Sequence, residues 1–356
     1  MPIQSVIIGT GSYIPSVIVK NEDFLNHSFL QEDGTHFASD TPIIIKKFEK
    51  ITGIKERRYA LDHQNASDLA VIAAKNAIKS AKIEKNNIDY ILLAHNFGDV
   101  SKGSIQGDML PSLASKVKHK LKIQNPNCVA LDIVFGCPGW LQGMIQATAF
   151  IQSGMAKTIL VIGTETLSRV IDDYDRDSMI YADGAGATLL QAKESTSITG
   201  VLSHAAQTFS EEELGYLFSG KSYHKELTLH CNYLKMQGRK IYEFALTHVS
   251  NAMKAAWDKS EVPISKLSKI LIHQANEKMD EAIVKRFYSL YELNMPDSCM
   301  PMCIEKLGNS SVATIPTLLD LILNNSLSPH SISKGDIVLF ASVGAGMNIN
   351  AMVYQF

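Results

Sequence analysis

Apolar positions along this chain recur with two periods, and the alternation between them lays out the elements. Val6-Ile7-Ile8 reads as a strand that closes in a sharp turn at Gly9-Thr10-Gly11. A third glycine is missing and Tyr13-Ile14-Pro15 opposes a helix, so this is no dinucleotide loop. Residues 21–60 are mixed and polar, with a basic run from Lys46 through Arg58 that reads as a solvated face. Asp68 to Ala81 is amphipathic, with Leu69, Ile72, Ala73, Ala77 and Ile78 on one side, and predicts a helix. Ile88 to Ala94 predicts a buried strand, residues 95–110 a glycine-containing loop, and Pro111 to Leu121 another helix. Leu131-Asp132-Ile133-Val134-Phe135 runs into the tight turn Gly136-Cys137-Pro138-Gly139, and Leu141 to Ile151 continues as a helix. Lys157 to Gly163 has the unbroken apolarity of a strand covered on both faces, and Asp183-Gly184-Ala185-Gly186-Ala187 leads into a further strand, Thr188 to Ala192.

The same order then returns. Ile241 to Trp257 predicts a helix, Ile270 to Ile272 a short strand and Met279 to Leu290 a helix. Gly308-Asn309-Ser310-Ser311 opens a helix running to about Leu323, and Ile337 to Ser342 is a strand. Ile91-Leu92-Leu93 answers Ile270-Leu271-Ile272, the Gly136-Cys137 turn answers Gly308-Asn309, and Ile159 to Gly163 answers Ile337 to Ala341. All three pairs lie about 170 to 180 residues apart, which indicates a duplicated α/β unit. The halves are residues 1–195 and 196–356.

Composition narrows the class without naming a chemistry. The 356 residues are 46% hydrophobic and 20% charged, an ordinary globular balance, and the net charge of −2 makes no general case for nucleic acid or a membrane surface. Five cysteines are scattered without a Cys-x-x-Cys pair, and Cys299 and Cys303 have no matching histidine pair, so no metal site is expected. Met1-Pro2-Ile3-Gln4 shows no basic and apolar leader, and no apolar run is long enough to span a bilayer, so a reducing cytoplasm is the expected compartment.

Candidate chemistry centres on Cys137. It sits where a buried strand hands over to a helix, with Pro138 suited to the first helical position. Unpaired N–H groups and the positive end of the helix dipole at such a place favour thiolate and lower the thiol pKa from about 8.5. Most free cysteines are small core residues, but the turn chemistry on both sides favours a nucleophile. Two halves packed about a pseudo-twofold axis bring Asn309 toward Cys137, and His273 ends a buried strand facing the same cleft. Cysteine, histidine and asparagine form a complete set for acyl chemistry on a thioester: a thiolate to hold the acyl group, and two donors for an oxyanion. The turn Val343-Gly344-Ala345-Gly346-Met347 offers further backbone donors.

These motifs resemble the β-ketoacyl-acyl-carrier-protein synthase III family of thiolase-like condensing enzymes. The matching stretches are Gly9 to Pro15, Thr52-Gly53-Ile54-Lys55-Glu56-Arg57-Arg58, the Cys137 turn, Asp183 to Ala187, His273-Gln274-Ala275-Asn276, Gly308 to Ser311 and the Gly344 turn, in family order. The resemblance implies a duplicated five-layer α-β-α-β-α fold, a homodimer, Cys137, His273 and Asn309 as catalytic residues, and an oxyanion hole from the amides of Cys137 and Ala345. It implies that Cys137 takes an acyl group from a coenzyme A or acyl-carrier-protein thioester. A malonyl thioester then loses CO2, its enolate stabilised by His273 and Asn309, and attacks the acyl-Cys137. No cofactor is implied; acyl-CoA or acyl-carrier protein and malonyl-carrier protein are substrates.

Departures from the family point to the substrate side. Lys47 and Ile51 stand where housekeeping members stack adenine with Trp and Arg, Lys278 replaces the Arg after His-Gln-Ala-Asn, Val343 replaces an aromatic ahead of Gly344, and Leu110 replaces the pocket-gating aromatic. A longer or unusual acyl donor is the expectation. Lys278, Lys285 and Arg286 form a candidate docking face for the acidic carrier protein. A non-decarboxylating acyltransferase or thioesterase of the same fold is the alternative. A papain-like cysteine protease is disfavoured by the mid-chain cysteine and the α/β repeat, and a non-catalytic subunit by the intact Cys-His-Asn set.

Overall fold

The computed structural model describes residues 3–195, 199–227 and 231–356. The expected division after residue 195 therefore falls beside residues 196–198, outside the described residues. The first stretch contains β1 (Ile3–Tyr13), β2 (Val17–Lys20), α1 (Thr41–Thr52), β3 (Glu56–Tyr59), α2 (Ala66–Ala81) and β4 (Tyr90–Ala94). It continues with α3 (Leu113–Leu121), β5 (Val129–Ile133), α4 (Gly139–Gln152), β6 (Thr158–Thr166) and β7 (Asp183–Glu194). Then come β8 (Gly200–Thr208), β9 (Leu217–Gly220), β10 (Tyr233–Met236), α5 (Gly238–Lys259), β11 (Leu267–Ile272), α6 (Glu277–Ser289), α7 (Ile304–Leu307), α8 (Thr314–Leu323), β12 (Ile337–Gly344) and β13 (Asn348–Gln355).

Two sheets carry the repeat. One has the order β1-β7-β6-β4-β5 and the other β11-β12-β13-β8. Read from β1 and from β8, the directions agree strand by strand. β4 runs parallel to β6 as β11 does to β12, and β7 lies antiparallel to β1 and β6 as β13 does to β8 and β12. The strands matched in the sequence are thus the same strands of the two sheets. Three apolar clusters fix the layering. α2 and α3 pack on the outer face of the first sheet, α5 and α6 on the outer face of the second, and α4 and α8 lie between the sheets. This is the five-layer α-β-α-β-α order. The apolar strands are fully buried because both faces are covered; every residue of β6 and β12 is buried.

Two local readings are corrected by packing. Gly9-Thr10-Gly11 is not a turn: β1 continues through it to Tyr13. The glycines are there because α2 lies directly on the strand, so a Cβ at Gly9 would stand 2.6 Å from Ala81 N and 2.7 Å from Ala77 O. Likewise Asp183 to Ala187 is already part of β7. The basic run Lys46 to Arg58 is not uniformly solvated either. Arg57 is fully buried, donating to Met179 O, Val19 O and Asn21 Oδ1, with the Phe24 and Phe48 rings 5.0 and 5.9 Å from its guanidinium carbon.

Candidate active site

The turn between β5 and α4 is shaped by glycine on each side of Cys137. Gly136 takes φ +68°, a left-handed conformation that suits a residue without Cβ. Its N–H donates to Asn96 Oδ1 at 3.0 Å, and its carbonyl accepts from Gly139 N at 3.0 Å. The turn after β12 packs against it backbone to backbone. A Cβ at Gly136 would lie 2.6 Å from Ala345 N, and one at Gly344 would lie 2.8 Å from Pro138 Cδ and 3.0 Å from Cys137 Cβ. Among the described residues, neither the Cys137 nor the Ala345 amide donates to a backbone carbonyl in a turn or cap. Asn348 ties the two turns together: its Nδ2 donates to Ala345 O at 2.8 Å and Phe135 O at 3.3 Å.

The expected trio meets through one residue, Ser311. Its hydroxyl donates to Cys137 Sγ at 3.2 Å, and its N–H donates to Asn309 Oδ1 at 2.8 Å. Its carbonyl accepts from Thr314 Oγ1 at 2.9 Å, and that oxygen lies 2.7 Å from His273 Nδ1. Ser311 adopts φ +52°, uncommon for a residue with a side chain and costly enough to persist only where its surroundings enforce it. The loop that carries it does not begin a helix at Gly308, as expected. Asn309 is bridged to Tyr181 between Ile180 O and Ala182 N, and the helix α8 starts at Thr314 after a short 3-10 turn.

His273 and Asn309 are both buried. Burial pushes the His273 imidazole down to about 4, so the ring is neutral. With Thr314 donating its one proton to Ser311 O, its oxygen accepts from His273 Nδ1–H, which leaves the lone pair on Nε2. The Cys137 thiol departs from expectation. Burial pushes it up to about 11, the Ser311 hydrogen bond lowers it, and the Glu165 charge acts with burial. The reason is positional. Pro138 is the N-cap rather than the first helical residue, so Cys137 stands outside α4, and packing from the second half leaves it only partly exposed.

The remaining candidates separate from this centre. Gly344 touches the Cys137 turn, and Val343 is buried at the end of β12 among residues of the α5–α6 side. Leu110 does not line the site of its own chain; it is 90% exposed, just before the cis bond to Pro111. Lys278, Lys285 and Arg286 are exposed on α6, with Lys285 paired to Glu281 at 2.6 Å. A cavity of about 790 Å³ under β1, α2 and α8 shares no residue with the Cys137 site. Among the described residues no group of three or more His, Cys, Asp or Glu stands together as a metal site, and no helix is long and apolar enough to cross a membrane. All five cysteines are free.

Sequence reasoning named Ser311 only within a motif, and it passed over Thr314, Asn96, Glu165 and Asn348. The one visible signal was polarity out of place, such as a carboxylate at the end of the apolar run from Ile159.

Residues 131–208 match the family described as 3-Oxoacyl-[acyl-carrier-protein (ACP)] synthase III, and residues 257–356 match the family described as its C terminal part. The chain is 32% identical to beta-ketoacyl-[acyl-carrier-protein] synthase III 1 of Vibrio vulnificus, with 99% of each chain covered. It is 31% identical to beta-ketoacyl-[acyl-carrier-protein] synthase III of Rhodospirillum centenum, with 100% of each covered. The crystal structure of 3-oxoacyl-[acyl-carrier-protein] synthase III from Aquifex aeolicus superposes with a TM-score of 0.79 at 27% identity, covering 99% of this chain and 100% of that one.

Proposed function

The chain belongs to the β-ketoacyl-acyl-carrier-protein synthase III family of thiolase-like condensing enzymes, and on that premise we propose that Cys137 carries the acyl group while His273 and Asn309 serve the decarboxylation. The observation that carries this reading is the set of hydrogen bonds from Ser311. They reach Cys137 and Asn309 directly, and His273 through Thr314.

In the first half-reaction the Cys137 sulfur attacks the carbonyl of an acyl thioester. The thiol proton passes by way of His273 Nε2 to the departing thiolate, and the oxyanion rests on the Cys137 and Ala345 amides. In the second, a malonyl thioester loses CO2 and its enolate oxygen takes hydrogen bonds from Asn309 Nδ2 and His273 Nε2–H. That second donor requires the other tautomer. Thr314 permits it by turning its hydroxyl from Ser311 O to His273 Nδ1. The resulting carbanion attacks the acyl-Cys137 carbonyl, giving a β-ketoacyl thioester and freeing the sulfur. Loss of CO2 supplies the carbanion without a strong base, so the site has only to orient two reactants and stabilise charge.

The acyl donor reading rests on what replaces the adenine-stacking pair. Lys47 and Ile51 are exposed on α1 beside Lys46 and Lys50, and α1 packs near α6, where Lys278, Lys285 and Arg286 stand. These groups suit an acidic carrier protein better than a stacked adenine, although Glu277 and Glu281 moderate the charge on α6. A homodimer is supported by the open edge of β5 and by exposed Ile105, Met109, Leu110 and Val134 beside it. Leu110 acts as an acyl-pocket residue only if it enters the partner's site.

Intact-protein mass spectrometry tests the scheme. Acyl-CoA or acyl-carrier protein adds one acyl mass, lost in Cys137→Ala, and malonyl-carrier protein then discharges it as a β-keto product. Discharge without that product would mean a simple acyltransferase or thioesterase.

A further inference from the structure

A buried polar chain that the scheme above leaves idle runs from β6 to the nucleophile. Glu165 is 1% exposed. Its Oε1 accepts a 2.6 Å hydrogen bond from Asn96 Nδ2, while Oε2 is buried with no partner among the described residues. Asn96 Oδ1 accepts from Gly136 N–H at 3.0 Å, and Nδ2 also lies 3.3 Å from Ser311 Oγ, whose hydroxyl donates to Cys137 Sγ at 3.2 Å.

The directions of these bonds are set by counting protons. Gly136 N–H needs an acceptor, so Asn96 must turn its carbonyl there and its NH2 toward Glu165 and Ser311. The two amide protons then go to Glu165 Oε1 and Ser311 Oγ. Ser311 accepts from Asn96 and has its single proton left for the sulfur. With Asn96 reversed, its carbonyl would face Glu165 and Ser311, and the serine hydroxyl would be drawn from sulfur to amide.

Glu165 has no cation within ion-pair distance among the described residues. The ionisable groups facing it are Cys137, from the turn before α4, and Asp183 of β7. Asp183 is itself held by Ala60 N, Ser168 N and Ser168 Oγ, with Arg169 nearby. A buried carboxylate with one bare oxygen is disfavoured, whereas a neutral acid still accepts from Asn96 through its carbonyl oxygen. Burial first, then the Asp183 charge, pushes the Glu165 carboxyl up to about 8 against the Asn96 hydrogen bonds.

We propose that Glu165 is a positioning residue whose Oε1 takes an amide proton of Asn96, orienting Asn96 so that Ser311 donates to Cys137 and the Gly136 turn is fixed. The proposal rests on Cys137 being the nucleophile. Its consequence is a built-in alkaline limit: once Glu165 ionises, its charge beside the sulfur opposes thiolate.

The test follows iodoacetamide alkylation of Cys137 in the full chain, resolved by peptide mass spectrometry from pH 6 to 10. Well below the thiol pKa the rate climbs about tenfold per pH unit with the thiolate fraction. In the wild type this climb breaks near pH 8. In the conservative variant Glu165→Gln, which keeps a neutral acceptor for Asn96, it continues, so that Gln exceeds wild type by roughly tenfold at pH 9.5. Asn96→Ala lowers the rate about tenfold across the range. Superimposed wild-type and Glu165→Gln profiles, or wild-type alkylation in Asn96→Ala, would overturn the proposal. Loading of the wild type from both acyl-CoA and acyl-carrier protein separates the two levels. Failure to acylate Cys137 refutes the nucleophile, whereas acylation with superimposed profiles refutes only Glu165.

Discussion

Gly344→Ala offers a sharp perturbation of the proposed oxyanion site, because the reason for glycine there is space rather than backbone angle. Gly344 has φ −165° and ψ −167°, an extended conformation open to any residue. An added methyl carbon would nevertheless meet Pro138 Cδ at 2.8 Å and Cys137 Cβ at 3.0 Å. Carbon atoms settle at about 3.5 to 4.0 Å, so the two turns must part by roughly 1 Å. Backbone atoms of Cys137 are among the nearest neighbours, and no flexible side-chain end can give way. In the proposed scheme the two amides offered to one oxyanion belong to Cys137 and Ala345, one on each turn, so the separation falls between the donors. Misplacement of about 1 Å, or loss of one such donor, commonly costs a hundredfold or more in rate. Gly344→Ala is therefore expected to slow single-turnover acylation of Cys137 by about a hundredfold, read by quenched-flow intact mass spectrometry. Overpacking would also cost about 1 to 3 kcal/mol of stability, measurable by denaturant unfolding. Iodoacetamide is the control. Its attack builds no oxyanion, so alkylation of Cys137 should fall by less than about threefold. Acylation at the wild-type rate would refute the converging-amide geometry. Equal losses in both reactions would show a displaced sulfur instead.

Other expectations follow from the same contacts. Thr314→Val removes the hydroxyl that serves His273 Nδ1 and should slow malonyl decarboxylation about tenfold or more, with Thr314→Ser restoring it. Normal decarboxylation in the valine variant would end the tautomer account. Burial holds His273 at about 4, well below its usual 6.5, so the unfolded chain binds a proton that the folded one refuses. Stability from this group is present above pH 6.5 and is lost as pH falls toward 4, by a few kcal/mol. His273→Asn should flatten that limb of the pH–stability curve, and parallel curves would contradict it. Lys235 is buried against Asp172 at 2.6 Å and Asp175 at 2.9 Å, over the Tyr223 ring. Lys235→Met strands two buried carboxylates and should cost about 3 to 5 kcal/mol in urea unfolding, with a loss below about 1 kcal/mol counting against a dry triad.

Much of the architecture was readable because a duplicated unit announces itself twice. Ile91 to Leu93 and Ile270 to Ile272 are the equivalent strands β4 and β11, and Ile159 to Gly163 and Ile337 to Ala341 lie in β6 and β12. Cys137, His273 and Asn309 could be picked out as candidates in the same way, Cys137 and Asn309 at corresponding turns and His273 at the end of an apolar run. What escaped was every contact between residues far apart in the chain. Gly9 and Gly11 look like a turn until α2 is laid across them. Ser311 and Cys137 are 174 residues apart, and nothing local marks one hydroxyl of the Ser310-Ser311 pair as a partner of sulfur. Leu110, placed in the acyl pocket on motif grounds, is 90% exposed, since a motif marks a position but not what packs against it. The thiol was misjudged similarly, since helix-end arguments see donors but not the desolvation imposed by a second sheet.

That misjudgement changes how acylation has to work. A thiol held up at about 11 beside an imidazole held down at about 4 is not a resting thiolate–imidazolium pair. Proton transfer between them ahead of attack is disfavoured by burial of both groups. The transfer therefore has to be coupled to formation of the sulfur–carbon bond, when negative charge leaves the sulfur for the carbonyl oxygen. At that moment the burial that suppresses the thiolate favours the reaction instead, because backbone amides in a dry site bind an oxyanion strongly. In the proposed scheme the Ser311 hydroxyl, 3.2 Å from the sulfur, steadies it before attack, and the paired turns receive the charge after it. Cys137 would then be quiet toward simple alkylating agents and fast toward thioesters, a selectivity that a low-pKa cysteine would lack.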